Sequence, residues 1–374
     1  MKSPIATMLR HQRPGDRTAP PLAAPAASRS AATTRLQCAI LRPPRIATWR
    51  EVAEDAWRAG ADLDATVSHG GKTLLTYVCT HGPLSVVRWL LEHGANPNVG
   101  TRNDSKPLIV AAEHRRVKTV RLLLEHGADP NAADKNGWTA LLASACADST
   151  EAVCLLLEHG AAIDAARTLG DTPLMLAAQH AATRAARLLL DQGADPNATN
   201  HRGRTALMLA AIRGNIEAVR LLIDRKPTLE ARDRDGCTAL AWAVWNLQLP
   251  TAILLIERGA DPNARNQNGN TILAMASRRA RPGELIPFFG PLFAAGADPS
   301  LTDAADLTLP EMLMERNLVN LVQAMDTELA RPTLAATRRR LLDRLTAKQR
   351  MSWLPKSCTA ECAERTAKTW SRQP

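Results

Sequence analysis

The chain has 374 residues, 45% of them hydrophobic and only 3% aromatic, with a formal net charge of +10. This length allows about two ordinary globular domains or one elongated repeat array, and the scarcity of Phe and Tyr implies a core of Ala and Leu in closely packed small helices. The absence of an apolar run of about 18 residues excludes a membrane span, and the abundance of Leu, Ala and Val excludes collagen and wholesale disorder.

Charge is distributed unevenly along the chain. Residues 1–50 hold nine Lys or Arg and one acidic residue, and residues 331–374 hold eleven Lys or Arg and three acidic residues. Each end therefore has a net charge of +8, whereas residues 51–330 have a net charge of −6. The basic character belongs to the two ends, and the body gives no whole-domain reason to expect nucleic-acid binding.

The N-terminal segment, residues 1–46, is rich in Arg, Ala, Pro and Ser and nearly free of acidic residues. It lacks the apolar core of 7–15 residues that an ordinary secretory signal requires. Its composition predicts a disordered basic leader. The same composition resembles organelle transit peptides and the export signals of bacterial effector proteins, and an overextended start is a further alternative.

The seven cysteines are odd in number and scattered through Leu- and Ala-rich segments. A disulfide framework shows closely spaced, even-numbered cysteines in a short chain, so this pattern favours a reducing compartment such as the cytoplasm. Cys358 and Cys362 form a lone pair without a nearby His or second Cys pair. Because a closed zinc site needs four ligands, we expect no metal there.

A five-residue phrase recurs through the body of the chain. Gly127-Ala128-Asp129-Pro130-Asn131 is repeated, with small changes, at a first interval of 34 residues, five of 33 and a last one of 37. The copies begin at residues 60, 94, 127, 160, 193, 226, 259 and 296. A second phrase, led mostly by Thr and followed by Pro or Ala and then Leu, keeps the same spacing at residues 73, 106, 139, 172, 205, 238 and 271. Two independent phrases in one register indicate a true repeat.

One unit shows what each repeat predicts. Asn136-Gly137 is a turn signal, and Thr139 is placed to cap a short helix with an apolar Leu and Ala face. A second helix is predicted from about Thr150 to His159, with Val153, Leu155, Leu156 and Leu157 buried and Gly160 ending it. Two such short helices cannot bury their apolar faces alone, whereas stacked copies can.

This unit resembles the ankyrin repeat, which has 33 residues, a turn and two antiparallel helices with a Thr-Pro-Leu-His motif. The resemblance covers about residues 47–330 and implies an all-α ankyrin-repeat solenoid. We expect partial capping units at Trp49 to Asp64 and at Thr308 to Leu329. The seven repeats are expected near residues 69–101, 102–134, 135–167, 168–200, 201–233, 234–266 and 267–303.

Three departures from the family pattern carry structural expectations. The motif His is replaced in every repeat, so apolar packing must substitute for its hydrogen bonds. Asp104 stands where the second repeat should have its turn Gly, and the seventh repeat has four extra residues around Ser277 to Pro287, where we expect a distorted loop. The positions of the missing His hold Thr76, Ile109, Leu142, Met175, Met208, Ala241 and Ala274.

The sequence offers no catalytic or metal constellation. Gly70-Gly71-Lys72-Thr73 resembles the end of a phosphate-binding loop, but its first glycine is absent and its residues are in register with the repeat turns. His93, His126 and His159 recur at helix ends, where neighbouring repeats are too far apart for shared metal ligation and a positive charge suits the helix dipole. We expect neither catalytic residues nor a cofactor, and an enzyme would need a site built from irregular residues.

The variable positions of the repeats predict a binding surface. The resemblance implies that turn tips and first helices line a concave groove that contacts partners. From the fifth repeat onward these positions are rich in Arg, and Arg and Trp are enriched at binding hot spots. Only Asp235 clearly offsets this charge locally, so we expect a protein partner with an acidic segment. The candidate partner-binding residues are Trp138, Arg202, Arg204, Arg213, Arg234, Trp245, Arg278 and Arg279.

The C-terminal segment, residues 331–374, is a basic tail. A helix from Thr333 to about Met351 is predicted, which could dock on its own domain or serve membranes or acidic partners. The complete sequence thus predicts a monomeric, cytoplasmic, non-enzymatic scaffold for protein–protein interaction. The alternative is a secreted effector delivered to a host cell, with the basic ends directing its localisation.

Overall fold

The computed structural model describes residues 26–41, 49–67, 71–279, 281–303, 306–315, 319–330 and 339. These residues contain helices and two isolated β-bridges but no strand. The chain divides into two compact units, residues 1–168 and residues 169–374. The helices of the first unit are α1 (Ala26–Leu41), α2 (Trp49–Arg58), α3 (Leu74–His81), α4 (Leu84–Glu92), α5 (Pro107–Glu113), α6 (Val117–Glu125), α7 (Ala140–Cys146) and α8 (Thr150–Glu158).

The second unit continues the same alternation of a short first helix and a second helix. Its helices are α9 (Pro173–Gln179), α10 (Thr183–Asp191), α11 (Ala206–Arg213), α12 (Ile216–Ile223), α13 (Ala239–Trp245), α14 (Leu249–Glu257), α15 (Ile272–Arg279), α16 (Pro282–Ala294), α17 (Leu309–Glu315) and α18 (Val319–Leu329). The described residues therefore contain seven helix pairs, from α3 and α4 to α15 and α16.

Each unit is built in two layers of helices. In the first unit α3, α5 and α7 pack in one row, and α4, α6 and α8 pack in a second row. In the second unit the rows are α9, α11, α13, α15 and α17 and, opposite them, α10, α12, α14, α16 and α18. Each short helix shares its apolar face with its partner and with its neighbours, which is how a repeat that is unstable alone is stabilised by stacking.

Threonine caps begin most of the first helices. The Thr139 Oγ1 atom accepts a hydrogen bond from the Leu142 N–H at 3.3 Å, which confirms the predicted cap. Equivalent bonds begin the first helices at Thr73, Thr172, Thr205, Thr238 and Thr271. The recurring Thr therefore supplies an acceptor for a helical N–H that would otherwise lack one.

The positions that lack the family His are all buried, with at most 4% of each residue exposed. Six hold apolar side chains, so packing replaces hydrogen bonding there, as the sequence predicts. Thr76 instead keeps a hydrogen bond, with its Oγ1 atom 2.8 Å from that of Thr73. In α8 the predicted burial is confirmed for Val153, Leu155 and Leu156, whereas Leu157 is only half-buried.

The expectation of a disordered leader is wrong for residues 26–41. They form helix α1, which packs against α2 and buries Ala32, Leu36 and Ala39. These three residues lie on one helical face, and Ala is the best helix former, so this stretch can bury an apolar stripe. The Thr33 Oγ1 atom also accepts the Asp62 N–H at 2.9 Å. The rest of the leader, residues 1–25 and 42–46, lies outside the described residues.

The extra residues of the seventh repeat lengthen a helix instead of distorting a loop. Helix α16 has 13 residues, whereas the second helices of the other repeats have eight or nine. Pro282 occupies the first turn, where its missing N–H is tolerated, and the Arg281 N–H donates to Glu284 Oε2 at 2.9 Å. Helix α16 starts 33 residues after α14 but ends 37 residues after it, so the four extra residues extend its C-terminal end and do not lie around Ser277 to Pro287, where the distortion was expected.

The second repeat keeps its turn without glycine. Asp104 adopts a φ of +61°, the left-handed conformation that Gly supplies in the other turns, and its carboxylate pairs with Lys106. Asp is among the few residues that visit this conformation readily. At the other end of the chain, the predicted tail helix from Thr333 to Met351 lies outside the described residues apart from Arg339.

Candidate functional site

The turn tips of the second unit are fixed by side chains inside each turn. The Asn200 Oδ1 atom accepts the N–H groups of Arg202 and Arg204 at 2.9 and 3.0 Å. Asp233 does the same for Asp235 and Cys237 at 3.1 and 2.9 Å. This geometry is a local side-chain mimic of a backbone turn. It gives the tips a defined conformation.

Successive tips are also bonded to each other. The Arg234 N–H donates to the Arg202 carbonyl at 2.9 Å, and the Gln267 N–H donates to the Asp235 carbonyl at 2.9 Å. A Cβ at Gly236 would lie 2.5 Å from the Gln267 nitrogen, so only glycine permits this approach. The spacing between the tips of repeats five, six and seven is therefore set by backbone contacts.

Arg204 is held inside the protein. Its Nε atom lies 3.3 Å from Asp233 Oδ2, and its side chain is only 14% exposed. The same carboxylate oxygen accepts the Trp242 indole N–H at 2.9 Å, and the Arg204 guanidinium stacks 4.1 Å above that ring. Because the Asp233 side chain is fully buried, its charge depends on this pairing. Arg204 therefore stabilises the turn.

Arg278 has a comparable partner but stays half-exposed. Its Nη2 atom donates to Asp303 Oδ2 at 2.7 Å, and 47% of the Arg278 side chain is exposed whereas the Asp303 side chain is buried. Asp303 Oδ1 accepts the Leu307 N–H, so the carboxylate also organises the next turn. Asp235 is thus not the only carboxylate that offsets the Arg-rich positions. Asp233 and Asp303 do so as well, from buried positions.

Three of the candidate arginines remain available at the surface. Arg202 and Arg234 lie on adjacent tips, and Arg213 ends helix α11. All three are exposed, and within the part of the chain that the structure describes none forms an ion pair. We call these three residues the arginine face. The Arg279 side chain lies outside the described atoms, although its backbone ends helix α15.

Trp138 belongs to the first unit, whereas the other candidate residues belong to the second. Its ring is half-buried and faces the Arg167 guanidinium at 5.6 Å, and its backbone N–H donates to Asp134 Oδ1 at 2.9 Å. These two contacts hold Trp138 in place within its turn and account for its half-buried position.

A cavity of about 350 Å³ lies in the second unit, and Asp235, the chain neighbour of Arg234, is one of its lining residues. Its wall includes Trp242 and Trp245, three residues apart on helix α13, together with Met275 and Arg278. Sequence reasoning selected Trp245 and Arg278 but missed Trp242. The missed signal is that a Trp stands at a repeat position where the other repeats hold Tyr77, Val110, Ala143, Leu176, Leu209 and Met275.

Two of the described thiols, Cys79 and Cys237, are poor nucleophiles. Burial raises the pKa of the Cys79 thiol to about 12. The pKa of Cys237 is also raised to about 12, by burial first and then by the negative charges of Asp233 and Asp235. A thiol must ionise to attack a substrate or bind a metal, so both are protonated at neutral pH. The described cysteines 38, 79, 146, 154 and 237 are free thiols.

Each recurring histidine is the C-cap of the helix that it follows. His93, His126 and His159 each cap a second helix, with the Nδ1 atom 2.7 to 2.9 Å from the carbonyl four residues earlier. Their predicted location at helix C-termini is confirmed. Within the described ranges, no group of three or more His, Cys, Asp or Glu side chains is arranged to hold a metal ion. The described helices also include none with the length and apolarity to cross a membrane.

Comparison with known proteins agrees with the repeat geometry. A family model described as ankyrin repeats (3 copies) matches residues 51–134, 126–200 and 192–266, which is more than half of the chain. A search of curated proteins gave no significant match. The matched residues contain helices α3 to α14 and the Thr caps and turns described above. The chain therefore belongs to the ankyrin repeat family.

Proposed function

We propose that this protein is a non-enzymatic scaffold whose repeats five to seven bind a partner protein through an acidic segment. Ankyrin repeats are generally protein–protein interaction modules. The observation that carries the proposal is the arginine face, Arg202, Arg213 and Arg234, which is exposed and has no carboxylate partner among the described residues. Planar guanidinium groups suit paired hydrogen bonds to carboxylates.

The charge of the surroundings supports selectivity. Residues 51–330 have a net charge of −6, so the arginine face is a local positive region on an acidic body. Such an arrangement attracts an acidic segment without the broad adhesion of a wholly basic domain. Arg204 and Arg278 contribute less to this attraction because Asp233 and Asp303 neutralise them.

We further propose that the protein acts as a monomer in a reducing compartment such as the cytoplasm. Five free thiols among the described cysteines support that compartment, because disulfides persist in oxidising ones. Light scattering of the purified chain measures the oligomeric state directly. A mass that matches one chain of 40.4 kDa supports the monomer, and twice that mass refutes it.

The test of partner binding is charge reversal on the full chain. Affinity capture with mass spectrometry identifies a partner, and titration calorimetry then compares wild type with Arg202→Glu, Arg213→Glu and Arg234→Glu combined. Arg204 is left unchanged, since its reversal would leave Asp233 buried beside a like charge. We expect a loss of about tenfold or more in affinity and weaker binding as salt increases.

A matched control reverses three exposed arginines on second helices, Arg121, Arg187 and Arg220. It changes the net charge by the same amount but leaves the arginine face intact. Comparable losses of affinity in both triple variants would show that the effect arises from overall charge, which would contradict the proposal. Reversal of basic residues within 331–374 that abolished binding, with the arginine face dispensable, would assign binding to the tail.

A further inference from the structure

The cavity lined by Trp242, Trp245 and Asn270 has features that the fold does not require. In an array of similar repeats, residues needed for stacking recur at each equivalent position. At the position of Trp245 the other repeats hold Thr80, Glu113, Cys146, Gln179, Ile212 and Arg278, and at that of Trp242 none holds a second Trp. The sixth repeat alone brings two indole rings to one wall.

Two neighbouring residues fix the orientation of the Trp242 ring. Its indole N–H donates to Asp233, and the Arg204 guanidinium covers one face of the ring at 4.1 Å. Trp245 and Met275 also line the cavity, and both are large and polarisable. Aromatic rings and thioethers form favourable contacts with aromatic side chains. The wall is thus preorganised for a flat, apolar group.

Asn270 places a hydrogen-bond acceptor without a partner in the same cavity. It lines the wall, is only 4% exposed, and its Oδ1 atom has no hydrogen-bond partner in the described structure. A buried acceptor without a hydrogen-bond partner is energetically unfavourable. The equivalent positions hold Lys72, Ser105, Trp138, Asp171, Arg204 and Cys237, so the repeat does not need an amide here.

The charged groups around the cavity favour a neutral occupant, because the wall carries both signs of charge. A cation would meet Arg278 on the wall and Arg204 on the far face of Trp242. An anion would meet the unpartnered oxygen of Asn270 and the carboxylate of Asp235, which also lines the cavity. A neutral group with one N–H or O–H donor can hydrogen-bond to Asn270 Oδ1 and carries no net charge into the cavity. A volume of about 350 Å³ is sufficient for one large side chain.

We propose that this cavity binds one aromatic side chain with a polar hydrogen, tryptophan above all, from the acidic segment of the partner. The ring packs against Trp245 and Met275, and its N–H donates to the Asn270 carbonyl oxygen, whose amide turns about a soft terminal torsion. Acidic residues on either side of the anchor then face Arg202, Arg234 and the exposed half of Arg278. This inference rests on the proposed function and specifies its partner.

The test uses the full chain and two blocked peptides, acetyl-Glu-Asp-Glu-Trp-Glu-Asp-Glu-amide and the same peptide with Ala in place of Trp. Calorimetry at low salt should show that the Trp peptide binds about tenfold or more tightly than the Ala peptide. Trp245→Leu and Asn270→Ser should remove most of that preference. Both replacements resemble residues at equivalent positions, Ile212 and Ser105, and circular dichroism verifies that the variants are folded.

Each further outcome separates the cavity from the arginine face. Equal binding of both peptides, weakened by reversal of Arg202 and Arg234, would overturn the cavity proposal and leave the acidic segment standing. A Trp preference unaffected by that reversal would support the cavity and overturn the acidic segment. Binding of neither peptide would overturn both. If the Trp peptide bound only after Trp353→Ala and Trp370→Ala, a tryptophan of the chain's own C-terminal segment would be the occupant of the cavity. That result would overturn the proposal that a partner supplies it.

Discussion

The side chain of Asn131 holds the loop that begins at Gly160. Its Nδ2 atom donates to the Gly160 carbonyl at 3.0 Å, and its Oδ1 atom accepts the N–H of Ala162 at 2.8 Å. Asn98 and Asn263 make the same two bonds to the repeats that follow them. The last residue of the recurring Gly-Ala-Asp-Pro-Asn phrase therefore joins one repeat to the next.

We expect Asn131→Ala to lower the free energy of unfolding by about 1–3 kcal/mol, because two hydrogen bonds to the next loop are lost. Urea denaturation followed by circular dichroism measures the change. Asn103→Ala is the matched control, since that exposed side chain makes no hydrogen bond in the described structure. A change for Asn131 no larger than that for Asn103 would show that the Asn bridge does not stabilise the array.

Ala181 has a left-handed backbone conformation, so its replacement by glycine should stabilise the protein. Ala181 joins α9 to α10 with a φ of +58°, where Gly214 has +71° in the next repeat. Because the left-handed region is unfavourable for Ala by about 1–2 kcal/mol, Ala181→Gly should raise the unfolding free energy by about 1 kcal/mol. Ala181 is exposed, so little packing is lost.

The control for this change is Ala198→Gly, in a loop position without positive φ. There the added backbone freedom should lower stability. Thermal and urea unfolding of both variants give the comparison. If both replacements lowered the unfolding free energy equally, strain at Ala181 would have to be negligible.

The contact between α2 and the first repeat should weaken in acid. The Trp89 indole N–H donates to Glu54 Oε1 at 2.9 Å and lowers the pKa of Glu54, with His93 at 3.1 Å and Arg58 lowering it further. A carboxylate with a depressed folded pKa stabilises the fold above its ordinary pKa of 4.5 and loses that contribution as the pH falls through the folded value.

Hydrogen exchange of α2 amides should therefore accelerate, as the pH falls below the ordinary pKa of 4.5, by more than the intrinsic exchange rate changes. Glu54→Gln should accelerate exchange at neutral pH and remove most of the extra acid effect. Glu51→Gln, on an exposed position of the same helix, should behave as wild type. Equal pH profiles for Glu54→Gln and wild type would contradict a role for this carboxylate.

Thiol reactivity should follow burial. Cys79 and Cys237 are buried with pKa values raised to about 12, whereas Cys38 is exposed on α1. Iodoacetamide at pH 8 should therefore alkylate Cys38 well before the other two, as followed by peptide mass spectrometry. Denaturant should abolish the difference. Early alkylation of Cys237 in folded protein would indicate an ionised thiol in the cavity wall.

The sequence by itself determined the repeat. Both phrases keep a 33-residue spacing because each serves a local or nearest-neighbour need: a Thr cap for one helix, and an Asn bridge to the next loop. Such needs are the same in every copy, so they leave a period that can be read without coordinates. The helix pairs, the Thr139 cap and the apolar replacement of the family His follow from that period.

The tertiary structure decided which polar residues are available for binding. Arg202 and Arg204 are two residues apart on one tip, yet the first is exposed and the second is paired with a buried carboxylate 29 residues further on. Composition does not distinguish them, because the difference arises from what the neighbouring repeat places beside each side chain. Helix α1 was missed for a related reason, since its apolar stripe becomes informative only once α2 is there to cover it.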